Sequence, residues 1–427
     1  MTTKGIYRPR IADELIERKL RGKGAVLLEG AKWCGKTTTA EQICNSVIYM
    51  TEPGKRAQNE QLARLNPALL LKGEKPRLID EWQIAPQIWD AVRFEADHSD
   101  RLGLFVLTGS SVPPDMSEVV HSGTGRFAWL KMRPMTLWES GDSTGDVSLG
   151  SLFEGNLEIA GLSNLNLERV AFLTCRGGWP LSVGMDDDVA LDQAFDYVKA
   201  VETRDIQLAD GVERDPNRVH RLLRSYARYQ GTQTSNTKLK ADLQENEEST
   251  FDTDTIASYI KALKRIFVVE EIAAWNPNLR SKTAIRTSAT RYFSDPSIAT
   301  ASLGLGPEDL IGDLETFGLI FETLCMRDLR VYAEALNGDV YHYRDANGLE
   351  CDAVIHLRNG RYGLVEIKLG GDQNIEKGAS TLKMLSEQID TTKMKKPSFL
   401  MVLTAVGDYA YRRKDGVLVV PIGSLKN

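Results

Sequence analysis

Apolar and polar positions follow two periods along the chain, and each change of period marks an element. "PRIADELIERKLRGKG" (9–24) predicts an amphipathic helix that leads into a buried strand, "AVLLEG" (25–30). A second helix begins at "GKTTTAEQIC" (35–44), and short apolar runs follow at "PRLIDEW" (76–82) and "LGLFVLTGSS" (102–111). Buried strands separated by helices predict an α/β domain with a largely parallel sheet. The Gly/Ser/Asp-rich stretch "ESGDSTGDVSLGSLFEG" (139–155) is the first shift of composition, and we place the close of this domain near it, as residues 1–150.

From 165 to 305 the pattern is mainly helical. "NRVHRLLRSYARYQG" (217–231) keeps helical spacing and stops at glycine, and the polar loop "DLQENEEST" (242–250) follows. "DTDTIASYIKALKRIFVVEEI" (252–272) then predicts a capped helix passing into a β-rich run. Helices followed by a hairpin allow a winged helix with Lys261, Lys264 and Arg265 on or beside its second helix. They equally allow a helical packing domain whose basic residues are solvated. The remainder, 306–427, opens with the helix "PEDLIGDLETFGLIFETLCMRDLRVY" (307–332). Strands are expected at 340–344, 350–357, 361–368, 398–404 and 417–421, with a helix near 374–389, which makes a second α/β unit. In 350–357 strict alternation puts Cys351, Ala353, Ile355 and Leu357 on one face and Glu350, Asp352, Val354 and His356 on the other. In 361–368, Tyr362, Leu364, Glu366 and Lys368 share a face, and Asn359-Gly360 suits a primed turn between the strands.

Composition narrows this picture little. The 427 residues are 42% hydrophobic and 26% charged, the profile of an ordinary globular chain long enough for about three domains. A net charge of −6 argues against whole-body attraction to nucleic acid while leaving room for a local basic surface. The cysteines at 34, 44, 175, 325 and 351 form no Cys-x-x-Cys pair and suggest neither a zinc site nor a disulfide framework. The start lacks a signal peptide's apolar core and no stretch reaches spanning length, so the expected compartment is the cytoplasm, with no membrane partner.

Candidate chemistry concentrates in two places. "GAKWCGKT" (Gly30, Ala31, Lys32, Trp33, Cys34, Gly35, Lys36, Thr37) fits Gly-x-x-x-x-Gly-Lys-Thr, follows a strand and opens a helix that continues through Thr38. Its backbone N–H groups would cradle phosphates, Lys36 would reach the β- and γ-phosphates, and Thr37 would coordinate Mg²⁺. In "RLIDE", Asp80 would hold the Mg²⁺ and Glu81 would orient the attacking water. Thr108 and Ser110, ending the strand "LFVLTGSS", are candidates to sense the γ-phosphate, or are ordinary turn residues. Arg126 in "HSGTGR" is a candidate charge stabiliser in cis or trans, or a surface arginine after a glycine loop. His98 and His121 have no clustered ligands and are read as non-metal residues; Cys34 invites thiol modification of the loop.

The second place is the hairpin. If register permits, Asp352, Glu366 and Lys368 converge; the two acids would hold Mg²⁺ or Mn²⁺, Lys368 would orient the water, and Glu322 on the preceding helix would add a ligand. Glu350 is a further choice. The competing reading is a half-exposed strand with salt bridges and no metal.

"GAKWCGKTT", "LIDEWQIAPQIWDAVR", "LFVLTGSS", "HSGTGRFAWLKMRPMTLWES", "RYFSDPSIA" and "ECDAVI" followed by "LVEIK" together resemble a family. It comprises bacterial and archaeal AAA-type ATPases whose C-terminal domain of unknown function has a restriction-endonuclease-like fold. The resemblance implies an α/β P-loop NTPase domain, placed at 1–150, and an α/β restriction-endonuclease-like domain, placed at 306–427; the helical or winged-helix middle domain (165–305) rests on the residue pattern alone. It also implies ATP, Mg²⁺ and slow hydrolysis, with Lys36 and Thr37 matching its phosphate-loop pair and Asp80 and Glu81 its acidic pair. Arg126 matches its Gly-Arg element. Lys32 departs from the more usual arginine, keeping the charge without the bidentate geometry. The expected function is an ATPase coupled to a nuclease-like or nucleic-acid-binding domain. The alternative is an ATP-controlled binding or assembly protein whose nuclease-like domain is inert. DNA or RNA, a protein partner and a homo-oligomer are the expected partners.

Overall fold

Strand Ala25–Glu29 (β1) has four consecutive buried residues, as a central strand covered on both faces requires. It lies in an all-parallel sheet with Ser46–Tyr49 (β2), Arg77–Asp80 (β3), Phe105–Gly109 (β4) and Phe127–Lys131 (β5), in the order β2-β3-β4-β1-β5. One face of these strands, with Ala25, Leu27, Ile79, Phe105, Leu107 and Phe127, packs on Trp82, Trp89, Val92 and Leu70. Helices Ile11–Leu20 and Lys36–Ile43 lie against β1 and β4, where Val26, Leu28 and Val106 are fully buried. Each such side chain contributes ~1.5–3 kcal/mol through burial. Register aligns the carboxyl ends: Thr108 pairs with both Leu28 and Asp80.

The structure, a computed structural model, describes residues 7–112, 122–245, 251–277 and 288–427. It forms two units that interleave along the chain. The first comprises Met1–Pro134, Thr203–Asp215 and Tyr259–Val268; the second comprises Met135–Glu202, Pro216–Ser258 and Val269–Asn427.

In the second unit, helices Pro216–Arg228, Asn236–Glu245 and the first part of Thr253–Arg265 precede an antiparallel pair, Val269–Ile272 and Thr290–Phe293. The first of these helices buries Val219, Leu222, Leu223 and Tyr226 at helical spacing. The unit's largest sheet is mixed. Gly338–Arg344, Glu350–Leu357 and Tyr362–Lys368 run antiparallel to one another; Leu400–Thr404 and Leu418–Pro421 continue parallel, and Tyr411–Arg412 closes the edge. Helix Leu314–Ala335 precedes these strands, and helix Asp372–Gln388 makes the crossover between the first two parallel ones. Segment 139–155, read from its composition as the close of the first domain, belongs here, with Val147–Ser148 pairing with Leu425–Lys426.

Two local expectations for the hairpin are corrected. The turn is not primed: Gly360 alone has positive φ (79°), the Gly360 N–H donates to the Leu357 carbonyl at 2.9 Å, and the Leu357 N–H donates to Arg361 at 2.8 Å. A type I turn followed by a left-handed glycine bulge has this pattern. Strict alternation also fails, because the pairing with Gly338–Arg344 shifts between Cys351 and Val354. The shift puts Cys351 and Val354 together in the core under Ala379, Leu382 and Leu385.

Candidate functional site

The loop after β1 is shaped by two left-handed residues, Trp33 (φ 67°) and Gly35 (φ 99°). At Gly35 the conformation suits only a residue without Cβ, and the helix starts directly behind it at Lys36. Lys36 is buried, and its ammonium donates to the carbonyls of Gly30 at 2.9 Å and Ala31 at 2.8 Å. Lys32 donates out of the loop to Asp205 at 2.6 Å. Trp33 and Thr38 are exposed, whereas Ala31 is buried.

Across the sheet edge, Asp80 Oδ1 accepts from the Thr37 hydroxyl at 2.6 Å and from the fully buried Thr108 hydroxyl at 2.7 Å. The Thr108 oxygen in turn accepts from the Glu81 N–H at 3.2 Å. Glu81 sits at positive φ (59°), and its Oε2 accepts from Ser110 at 2.8 Å and from the Gln83 amide. Lys36, Thr37, Asp80, Glu81, Thr108 and Ser110 are thereby brought together from three separate segments. A parallel sheet places ligand chemistry at this carboxyl edge. Thr37 and Asp80 are oxygen donors suited to a hard cation that keeps most of its waters.

Other candidates lie elsewhere. The Arg126 carbonyl accepts from the N–H of Ala25, so this arginine sits at the opposite end of β1, ~13 Å of strand from the phosphate loop. Its guanidinium pairs with Asp97, and the structure does not bring it to the loop of its own chain. The Cys34 thiol is fully buried toward the Met132 carbonyl, which removes the access that modification needs. The ring of His98 bonds the Phe94 carbonyl at 2.8 Å; His121 lies outside the described residues.

In the second unit, Asp352, Glu366 and Lys368 do meet. Lys368 Nζ lies 2.7 Å from Glu366 and 3.2 Å from Asp352. Asp352 Oδ2 also accepts the Ile367 N–H at 2.7 Å, taking over where the backbone ladder stops at Ala353–Val365. Glu322, from helix Leu314–Ala335, accepts from the Tyr292 hydroxyl at 2.5 Å. Burial first, then the Asp352 charge, raises both Glu322 and Glu366 to about 8. Burial pulls Lys368 down, but the two neighbouring carboxylates hold it above its ordinary value. Glu350 is instead an exposed partner of Arg344 at 3.1 Å. Among the described residues no three His, Cys, Asp or Glu side chains are arranged to hold a metal ion. In this cluster the position between two of the acids is taken by Lys368, so the arrangement does not fit a three-carboxylate metal site.

Four contributors escaped sequence reasoning. Gln83 fixes Glu81, and Tyr292 fixes Glu322. Buried Arg10 braces the loop through the Cys34 carbonyl at 2.9 Å and also bonds the Arg133 carbonyl at 2.9 Å. Asp205 reaches Lys32 from 173 residues away. Only Gln83, two positions after the acidic pair, lay near enough to a motif to be suspected.

Comparison with known proteins bears on the domain that holds the first site. Residues 22–140 match a family model described as an AAA domain. Residues 167–309 and 317–425 match two models described as domains of unknown function, DUF8612 and DUF4143. The chain therefore carries an AAA-type, P-loop ATPase-like domain. Solved structures similar to it include the Walker-type ATPase PABY2304 of Pyrococcus abyssi, at 13% identity and TM-score 0.44, covering 70% of this chain and 97% of that one. The Aeropyrum pernix ORC1 protein in complex with DNA matches at 13% identity and TM-score 0.24, covering 72% of this chain and 95% of that one. No curated protein matches the sequence. Among the described residues no helix is long and apolar enough to cross a membrane.

Proposed function

We propose that the chain binds ATP with Mg²⁺ and hydrolyses it, and that nucleotide controls a nuclease-like or nucleic-acid-binding C-terminal domain. The observation that carries the first half is the shared Asp80 oxygen, which takes the hydroxyls of Thr37 from the phosphate loop and Thr108 from β4. Thr37 and Asp80 would hold Mg²⁺, whose charge would offset that of the phosphates. Lys36 would turn from the Gly30 and Ala31 carbonyls to the β- and γ-phosphates. Glu81, fixed through Oε2, would orient the attacking water with its other oxygen. Thr108 and Ser110, which hydrogen-bond Asp80 and Glu81, would sense the γ-phosphate. In steady-state ATP turnover, Lys36→Ala and Glu81→Gln are each expected to lose ~10²-fold or more, Glu81→Gln with nucleotide binding retained. Wild-type rates in Lys36→Ala would overturn the assignment.

Within 165–305 a winged-helix arrangement is supported by helices Pro216–Arg228 and Asn236–Glu245, the start of Thr253–Arg265 and the antiparallel pair, with Thr203–Asp215 and Tyr259–Val268 belonging to the first unit. Residues 306–427 remain a restriction-endonuclease-like reading, supported by the helix-strand-strand-strand-helix-strand order around Asp352, Glu366 and Lys368. A specific contact favours the alternative of an inert domain that binds without cutting: Lys368 occupies the space between the two acids. That reading predicts no difference between wild type and Asp352→Ala when DNA or RNA is incubated with Mg²⁺ or Mn²⁺. Metal-dependent cleavage lost in the variant would reverse the preference. For Arg126 two readings stand, a charge stabiliser in trans across a homo-oligomer contact and a surface arginine paired with Asp97.

A further inference from the structure

Lys32 stands inside the phosphate loop, yet its ammonium is held from outside it. The Nζ–Oδ1 distance to Asp205 is 2.6 Å, with the lysine side chain 41% exposed and the aspartate 11%. Asp205 ends a π-helical turn, Val201–Asp205, that follows helix Asp187–Ala200. Such turns are rare and recur at functional sites. The division between the two units falls inside this turn, between Glu202 and Thr203. Each side of it is tied within its own unit: Glu202 to His220 at 2.7 Å, Asp205 to Lys32. Lys36, by contrast, is satisfied by carbonyls of the loop itself.

We propose that Asp205 is a positioning residue of the nucleotide site, which registers the terminal phosphate through Lys32. The proposal rests on the ATP reading of the loop. An ammonium is a compact point charge with three donors, and a carboxylate with one contact is a weak competitor for it against a multiply charged phosphate. The γ-phosphate of a nucleoside triphosphate draws Lys32 from Asp205 and frees the end of the π-turn. A diphosphate, engaged deeper in the loop by Lys36, leaves the pair closed. The loop thereby distinguishes triphosphate from diphosphate at a residue in the first turn after the unit boundary.

Calorimetric binding of a non-hydrolysable ATP analogue and of ADP, each with Mg²⁺, tests this on the full chain. The series is wild type, Asp205→Asn, Lys32→Ala and the double variant. Asp205→Asn is expected to tighten the analogue about fivefold, the scale of a part-exposed ion pair. ADP affinity stays unchanged, and the effect vanishes in the Lys32→Ala background. An equal change for both nucleotides, no change, or a change that survives without Lys32 overturns the proposal and makes the pair merely structural. Should Asp205→Asn not fold, Lys32→Ala alone decides: preference for the analogue over ADP falls about fivefold, and an unchanged preference overturns the proposal. Wild type that binds neither nucleotide removes the ATP reading and the proposal together. Binding that is indifferent to Asp205 and Lys32 removes the proposal alone.

Discussion

Glu322, Asp352 and Glu366 are acids from three elements that share one environment with Lys368, and their titration is the residue-level consequence. Burial and then the Asp352 charge raise Glu322 and Glu366 from 4.5 to about 8. Between those values the folded chain keeps protons that the unfolded chain has released, so stability falls as pH rises through the interval. Thermal unfolding should therefore show a midpoint that declines from pH ~5 to ~8, less steeply in Glu322→Gln than in wild type. Parallel profiles would count against this coupling. Acid and lysine identities were legible as a trio, because alternation and the Asn359-Gly360 turn suggested a hairpin. The bulge that turns Asp352 onto the Ile367 N–H was not, since a shift of pairing leaves no mark on local hydrophobicity. The same limit applies at Arg126: its sequence context suggested catalysis, but position along β1 decides its distance from the loop after that strand.

At the scale of elements, Asp295 shows how a stretch that carries a family resemblance can be structural. In "RYFSDPSIA" it caps helix Pro296–Leu303, its side chain accepting from the Ser297 N–H at 3.0 Å. It also accepts the Gly178 N–H at 3.0 Å and pairs with the buried Arg327 at 2.9 Å. Asp295→Ala removes a cap worth ~1 kcal/mol and strands a buried guanidinium at ~3–5 kcal/mol. A loss of ~4 kcal/mol is expected in denaturant unfolding, part of it offset by Asp328, which also pairs with Arg327 at 2.8 Å. A loss below ~1 kcal/mol would show that Asp328 alone suffices. The strands and helices themselves were largely legible: the expected 350–357 and 361–368 are observed as Glu350–Leu357 and Tyr362–Lys368. The turn type was not, because Asn-Gly is compatible with several turns and the backbone selects among them.

Over the whole molecule the same chain leaves and re-enters its first unit. Thr203–Asp215 brings Asp205 to Lys32, and Tyr259–Val268 brings the Arg265 carbonyl to the Val112 N–H, just past Thr108 and Ser110, at 3.0 Å. A linear division into 1–150, 165–305 and 306–427 follows composition and periodicity, which carry no information about such returns. The sequence alone determined the α/β character of the first unit, the P-loop pattern that holds Lys36 and Thr37, and the acids expected to serve it. Those properties depend on spacing within a few residues, where strand, turn and helix geometry are nearly fixed. Tertiary structure decided that Asp80 joins Thr37 to Thr108, that Asp205 holds Lys32, that Arg126 stands at the far edge, and that Lys368 lies between its acids. These depend on strand order, pairing register and the return of distant segments, which are set by burial of the whole core rather than by any local run of residues.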